Sequence, residues 1–248
     1  MNKETEGMSF LEHFSELRKR LIRASLGVLM GFFIAYHFAE EIFDWLLRPL
    51  CAAFKNSECR LITIGVAEAF LVYLKTGLLG GVFLGAPWVF YQIWKFVAPG
   101  LKPNERKYVL PFVISTSIMF VGGALFGFTY IFPFAFEFFF GEIRDPIIPM
   151  PAMSYYFSFA SGLLIAFGIL FEIPVIVVLF NLIGVLSSKS LWKTWRHAII
   201  GIFILSAILT PADPFTMLLL GVPLSALYIT SLVICSLIDR SRAKSSGV

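Results

Sequence analysis

The chain has 248 residues, of which 58% are hydrophobic and 17% aromatic, with a mean hydropathy of +0.83. Charged residues make up only 15% and the formal net charge is +4, against roughly 25% charged residues in an ordinary soluble domain. This composition excludes a water-soluble globular fold. The apolar runs are long and continuous rather than alternating, so membrane-spanning helices are expected and a transmembrane barrel is not.

The N-terminal segment up to Leu21 is polar, with several acids ahead of the first apolar run, and lacks the short apolar stretch of a cleavable leader. The first span is therefore expected to be the anchor. Within the polar segment, residues 9–20 predict an amphipathic helix. Ser9 and Glu12 have the spacing of a capping box, and Phe10, Phe14, Leu17 and Leu21 form an apolar stripe. Six spans follow, at about Leu21–Ala39, Ala69–Phe96, Val109–Phe132, Tyr155–Gly184, Ala198–Leu209 and Phe215–Ile238. The fourth, about 45 Å of helix, must tilt or protrude. The fifth, about 18 Å, falls short of the bilayer core, and the joint Thr210–Pro214 predicts a shallow hairpin with the sixth.

Residues 40–68 form a long, semi-apolar loop expected to cap the bundle on the membrane surface. The loop at 141–153 is rich in proline and expected to be stiff. With the N-terminus placed in the cytoplasm, 15 of the 20 Lys and Arg residues fall on the inner side and four on the outer side. Both termini are thus expected in the cytoplasm, with residues 239–248 as a short tail. The whole chain reads as a single all-α membrane domain. Cys51 and Cys59 share the outer loop, where a disulfide and a pair of small buried side chains are both open readings. Cys235 lies in the sixth span.

Glu172 sits mid-span in the fourth helix. A carboxylate there costs about 2.5–3.5 kcal/mol on insertion scales, and Pro174 removes a backbone donor, so a bent or locally open helix is expected. Either a protonated acid packed on a neighbouring helix or a partner-docking or proton-sensing site accounts for it. Glu105 follows Asn104, a candidate N-cap, and is either a helix-stabilising acid or an exposed anion for an incoming cation. Glu16 is spaced to pair with Arg20 one turn on. Asp213 before Pro214 has the form of a helix start. Lys75 can snorkel to the outer interface, and Glu68 lies on the same face. Pro49, Pro87 and Pro223 read as kinks or helix starts. There is no phosphate-binding loop, nucleophile elbow or metal-spaced His/Cys cluster. His13, His37 and His197 are scattered, so no cofactor, metal or enzymatic activity is expected.

Four ordered segments carry a family resemblance. His13–Leu21 (HFSELRKRL), Tyr91–Leu101 (YQIWKFVAPGL) followed by Glu105–Arg106, Phe171–Pro174 (FEIP) and Leu209–Asp213 (LTPAD) together resemble the TatC family of the twin-arginine protein translocase. The likeness runs from about His13 to Ile238. It implies a concave, glove-like six-helix bundle in the bacterial inner membrane, acting as receptor for the twin-arginine signal peptides of folded precursors. It further implies assembly with the single-span TatA and TatB subunits, self-association, contact with membrane lipid, use of the proton-motive force, and no nucleic-acid partner. By the same resemblance Glu16 and Glu105 contact the two arginines, with Arg18, Phe96 and Pro99 shaping the site. Glu172 and Pro174 mark an intramembrane polar and partner site, and Pro49 and Asp213 match further functional positions. The Cys51/Cys59 pair is outside the family pattern. The rival reading is a proton-coupled secondary transporter using Glu172, against which stand the single central acid and the absence of a detectable repeat.

Overall fold

The computed structural model describes residues 10–54, 59–100, 106–140, 149–209 and 214–245. Nine α-helices occur among them. They are α1 (Phe10–His37), α2 (Ala39–Ala53), α3 (Glu68–Val97), α4 (Val109–Phe126), α5 (Phe132–Phe140), α6 (Met153–Phe171), α7 (Ile173–Leu182), α8 (Ser188–Leu209) and α9 (Pro214–Ser245). The described residues contain no strand, only an isolated parallel bridge between Ile62 and Ala152.

Small residues let α1 and α3 meet at backbone distance. Gly77, Gly81 and Gly85 recur at intervals of four on α3, which puts them on one face of the helix. A methyl group at Gly81 would lie 2.6 Å from the Phe32 backbone nitrogen and 2.9 Å from the Val28 carbonyl oxygen. One at Gly31 would lie 2.7 Å from the Gly81 carbonyl oxygen. Lipid tails are as apolar as the helices, so close van der Waals contact between small residues does the work that burial from water does elsewhere. The Trp88 indole adds a hydrogen bond of 2.9 Å to the Arg23 carbonyl. The pair α1/α3 forms the most extensive interhelix contact of the described residues.

The amphipathic segment and the first span are one continuous helix, α1, rather than two elements. No Pro or Gly interrupts residues 10–26, so nothing breaks the hydrogen-bond ladder where polarity changes. Ser9 lies outside the described residues. After His37 the chain bends by 81° into α2, which forms a cap at that end of the bundle. Phe43, Leu46 and Leu50 are buried in the main core beneath it. Trp45 stacks on Phe128 with centroids 3.8 Å apart, and the Tyr156 hydroxyl donates to the Leu46 carbonyl. Pro49 lies inside α2 and is buried.

A disulfide joins Cys51 to Cys59, deciding between the two readings of that pair. Ile62 then exchanges backbone hydrogen bonds with Pro151 and Met153. The Glu68 carboxylate accepts the N–H groups of Ile64 and Gly65 and, at 2.8 Å, of Ser154 in the first turn of α6. Glu68 therefore ties the outer loop to a helix N-terminus, where a negative charge is favoured. This engagement is with backbone amides; Lys75, though on the same helix, is exposed.

The third span does not end at Phe132. A π-turn at Gly127–Ile131 links α4 to α5, with the Phe132 N–H reaching back to Gly127. That extra residue in the turn lets the helix continue past Pro133, which occupies the first turn of α5 where a missing donor is tolerated. The fourth span breaks as expected. α6 stops at Phe171 and α7 begins at Ile173, with Glu172 in the intervening turn and Pro174 at the start of α7. α6 is the centre of the core, with Ala160 and Phe167 fully buried.

Four helical stretches are long and apolar enough to cross a membrane: Glu68–Gly100, Val109–Phe140, Met153–Leu182 and Pro214–Arg242. The bent pair α1/α2 makes up to a fifth. α8 has 22 residues, but Lys189, Lys193 and Arg196 leave only residues 198–209 continuously apolar. The joint at 210–213, and with it the predicted hairpin tip and Asp213, falls outside the described residues.

Two outcomes are expected. Gly81→Val should lower the melting temperature in detergent, corresponding to a destabilisation of about 1–3 kcal/mol by overpacking. Gly162→Ala, where no atom lies within 4 Å of the added carbon, should be nearly neutral by the same measurement. In intact-mass analysis after alkylation of unfolded protein, one thiol, Cys235, should be labelled without reductant and three after reduction. Three labelled thiols before reduction would mean that the Cys51–Cys59 bridge is absent.

Candidate functional site

Two regions hold the candidate residues. The first is built where the N-terminal half of α1 lies along the last turns of α3. The glycine contact sets the distance between these helices, and the positions that face each other follow from it. His13 stacks on Phe96, with ring centroids 4.4 Å apart and planes at 28°. One turn along α1, Glu16 pairs with Arg20, whose Nη2 lies 2.6 Å from the carboxylate. Arg20 also donates from Nη1 to the Gln92 side-chain oxygen at 3.1 Å, and Gln92 is buried on α3. The expected local pairing of Glu16 is thus present and extends across to a second helix.

The end of α3 is anchored from below. Trp94 is buried, stacks on Phe112 at 4.9 Å and points its indole N–H at Thr116 of α4. Phe90, Tyr91, Tyr108 and Val175 gather round this second small core. It holds the end of α3 that brings Phe96 beside α1, and Pro99 is exposed in the 3-10 turn Ala98–Gly100 that follows. Arg18 is exposed. Two residues from Glu16, it lies about 200° around the helix, so the fold does not bring it onto the Glu16 face. Glu105 lies outside the described residues.

The second region is the break in the fourth span. Glu172 is 7% exposed, and its Oε1 has no hydrogen-bond partner among the described residues. Pro174 supplies no N–H four residues after Leu170, and the Leu170 carbonyl is met instead by a backbone N–H at the end of α6. An unpaired buried polar group costs about 1–3 kcal/mol, and so the site favours any partner that offers it a donor.

A third cluster escaped the sequence reading. Asn181 is 1% exposed and donates to Asp239 at 3.1 Å, and Asp239 also accepts the Ser188 N–H at 2.8 Å. Arg242 donates to the carbonyls of Asn181 and Leu182. One acid thus caps the start of α8 while one cation caps the end of α7, and α9 carries both. Asn181, a lone amide within an apolar run, was the available signal. Gln92 and Trp94 carried none beyond being polar or amphipathic groups near a span end.

Comparison with known proteins bears on the chain as a whole. The family model described as Sec-independent protein translocase protein (TatC) matches residues 12–223. The Sec-independent protein translocase protein TatC of Desulforapulum autotrophicum is 42% identical over 233 residues, covering 94% of this chain and 86% of that protein. That of Koribacter versatilis is 36% identical over 236 residues, covering 94% and 87%. A crystal structure described as the twin arginine translocase receptor TatC in DDM superposes with a TM-score of 0.80 at 31% identity, covering 90% of this chain and 99% of that one. Sequence along nearly the whole length and fold thus agree: the chain belongs to the TatC family, and is a component of a protein translocase rather than an enzyme.

Proposed function

We propose that this chain is the receptor subunit of a twin-arginine translocase, binding the signal peptides of folded precursors where α1 meets the end of α3. The observation that carries the reading is the joint placement of Glu16 and the His13–Phe96 stack on one face. An acid on an otherwise basic surface offers a partner for an arginine, and the aromatic pair beside it offers a plane for a guanidinium to stack on. Glu105, which falls between α3 and α4 in the sequence, supplies the second carboxylate. Pro99, three residues after Phe96, borders this face, whereas Arg18 lies off it, about 200° around α1 from Glu16. Exposed ion pairs contribute only about 0–1 kcal/mol each, so the peptide's apolar segment must dock as well, against the helices or lipid.

In this reading the chain crosses the bacterial inner membrane six times, α8 being a short crossing paired with α9. Both termini are cytoplasmic, in keeping with the distribution of Lys and Arg. The α2 cap with its disulfide then faces the oxidising side, where such a bond persists. Glu172, beside the Pro174 break, offers its unpaired oxygen to a polar group of a single-span partner of the TatA or TatB kind. Pro49 in the cap and Asp213 in the last turn serve the same assembly, which contains more than one copy of this chain and moves cargo with the proton-motive force. A proton-coupled transporter using Glu172 fits less well. Such folds carry several buried ionisable groups, and Glu172 is the one buried carboxylate among the described residues.

Binding of a labelled twin-arginine peptide to the detergent-purified chain tests the receptor reading, with a twin-lysine peptide as control. Glu105→Ala is expected to raise Kd about fivefold without lowering the melting temperature, and Glu16→Ala together with Glu105→Ala to abolish discrimination between the peptides. Equal affinity of the two peptides for the unmutated chain would refute the assignment. Glu172→Ala should leave peptide affinity unchanged while shifting the complex formed with single-span partners on native gels. An unaltered complex would remove Glu172 from the partner site.

A further inference from the structure

An ion pair internal to the chain occupies the proposed peptide site. Both Nε and Nη2 of Arg20 lie 2.6 Å from one and the same oxygen of Glu16, Oε1. The remaining branch, Nη1, is held at 3.1 Å by Gln92, which is 2% exposed and fixed in α3. An ordinary pair at this spacing on a helix surface is solvated and loosely held. Here the guanidinium is gripped from two helices, and its side chain is only 12% exposed, against 27% for Glu16.

The geometry points to Arg20 as a specificity-determining residue: it neutralises Glu16 from within the chain, leaving an acceptor that favours an incoming guanidinium over an ammonium. This rests on the reading of Glu16 as a peptide contact. A bare carboxylate attracts any cation through its net charge, and to that extent lysine and arginine are alike. With Arg20 in place the pair carries almost no net charge, and the flanking Lys19 and Arg23 repel a further cation. What survives is directional hydrogen bonding, since a carboxylate has about four acceptor positions and Arg20 engages a single oxygen. A guanidinium, planar, weakly hydrated and presenting five donors in a fixed fork, exploits such an acceptor. An ammonium, a strongly hydrated point charge, loses the part of the attraction on which it depends. Gln92 keeps Arg20 from swinging away when a ligand arrives, so the neutralisation persists in the bound state.

The test is the ratio of Kd for a twin-lysine peptide to Kd for a twin-arginine peptide, measured on the detergent-purified full chain. Arg20→Met is expected to lower this ratio about three- to fivefold, chiefly by tightening twin-lysine binding. Arg20→Gln provides a second neutral variant of similar polarity should the Met variant fold poorly. Arg20→Lys, which keeps the charge, should retain most of the discrimination. A ratio unchanged or raised in the neutral variants, or a parallel loss of affinity for both peptides, would overturn the assignment and leave Arg20 as a support for α1. Wild-type protein that binds neither peptide would instead overturn the receptor reading itself. Arginine-selective wild-type protein with an unmoved ratio in the variants sinks only the role given to Arg20.

Discussion

The backbone contact between α1 and α3 is the constraint on which the other features of this fold depend. Within a bilayer, two helices gain nothing from hiding apolar side chains from lipid, and their association rests on how closely their surfaces approach. Gly77, Gly81 and Gly85 remove the side chains that would hold α3 away, and Gly31 does the same on α1. Once the two backbones touch, the ends of both helices are in register. At one end Arg20 and His13 come opposite Gln92 and Phe96. At the other, Ala35 and Tyr36 pack against Gly80 and Gly77 just before the 81° bend into the cap. The same interface therefore sets the proposed peptide-binding face and the origin of the outer cap.

The cap itself is stabilised by polar and covalent links rather than by apolar packing alone. The Cys51–Cys59 bridge shortens the loop, the Ile62 bridge attaches it to the segment before α6, and Glu68 gathers three backbone amides from two parts of the chain. A carboxylate that accepts several amide hydrogen bonds at a helix N-terminus is worth more than a surface ion pair. The opposite end of the bundle uses the same device, with Asp239 and Arg242 of α9 capping α8 and α7. Helix ends in a membrane protein carry orphaned donors and acceptors close to a medium that cannot satisfy them. Here charged side chains from other helices supply the partners, and so fix how the helices sit against each other.

Against this background Glu172 is, with the side-chain oxygen of Asn181, one of two exceptions among the described residues. Its unpaired oxygen lies at the one place where the fourth span is broken. The backbone carbonyls of that turn, Ile169 and Leu170, are met by N–H groups at the end of α6, so the unmet demand is confined to the carboxyl group.

The amino-acid sequence alone determined the class of the protein, because about 20 apolar residues per span is a requirement of the bilayer and can be counted. It also located the helix break, because Pro174 lacks a donor in every context, and it located Glu16, Phe96 and Glu172 through motifs whose order matched a family. The local pairing of Glu16 with Arg20 was legible too, since i,i+4 spacing is a property of one helix. Tertiary structure alone decided that α1 and α3 meet through glycine, that Gln92 reaches across to Arg20, and that Glu68 engages amides of a distant helix. It also decided that the third span continues through a π-turn to Phe140 and that Cys51 and Cys59 are bonded. The helix contact, the Gln92 bond and the Glu68 bond to Ser154 depend on distances between segments far apart in the chain. Spacing along a single helix encodes its own faces but not which face another helix will meet.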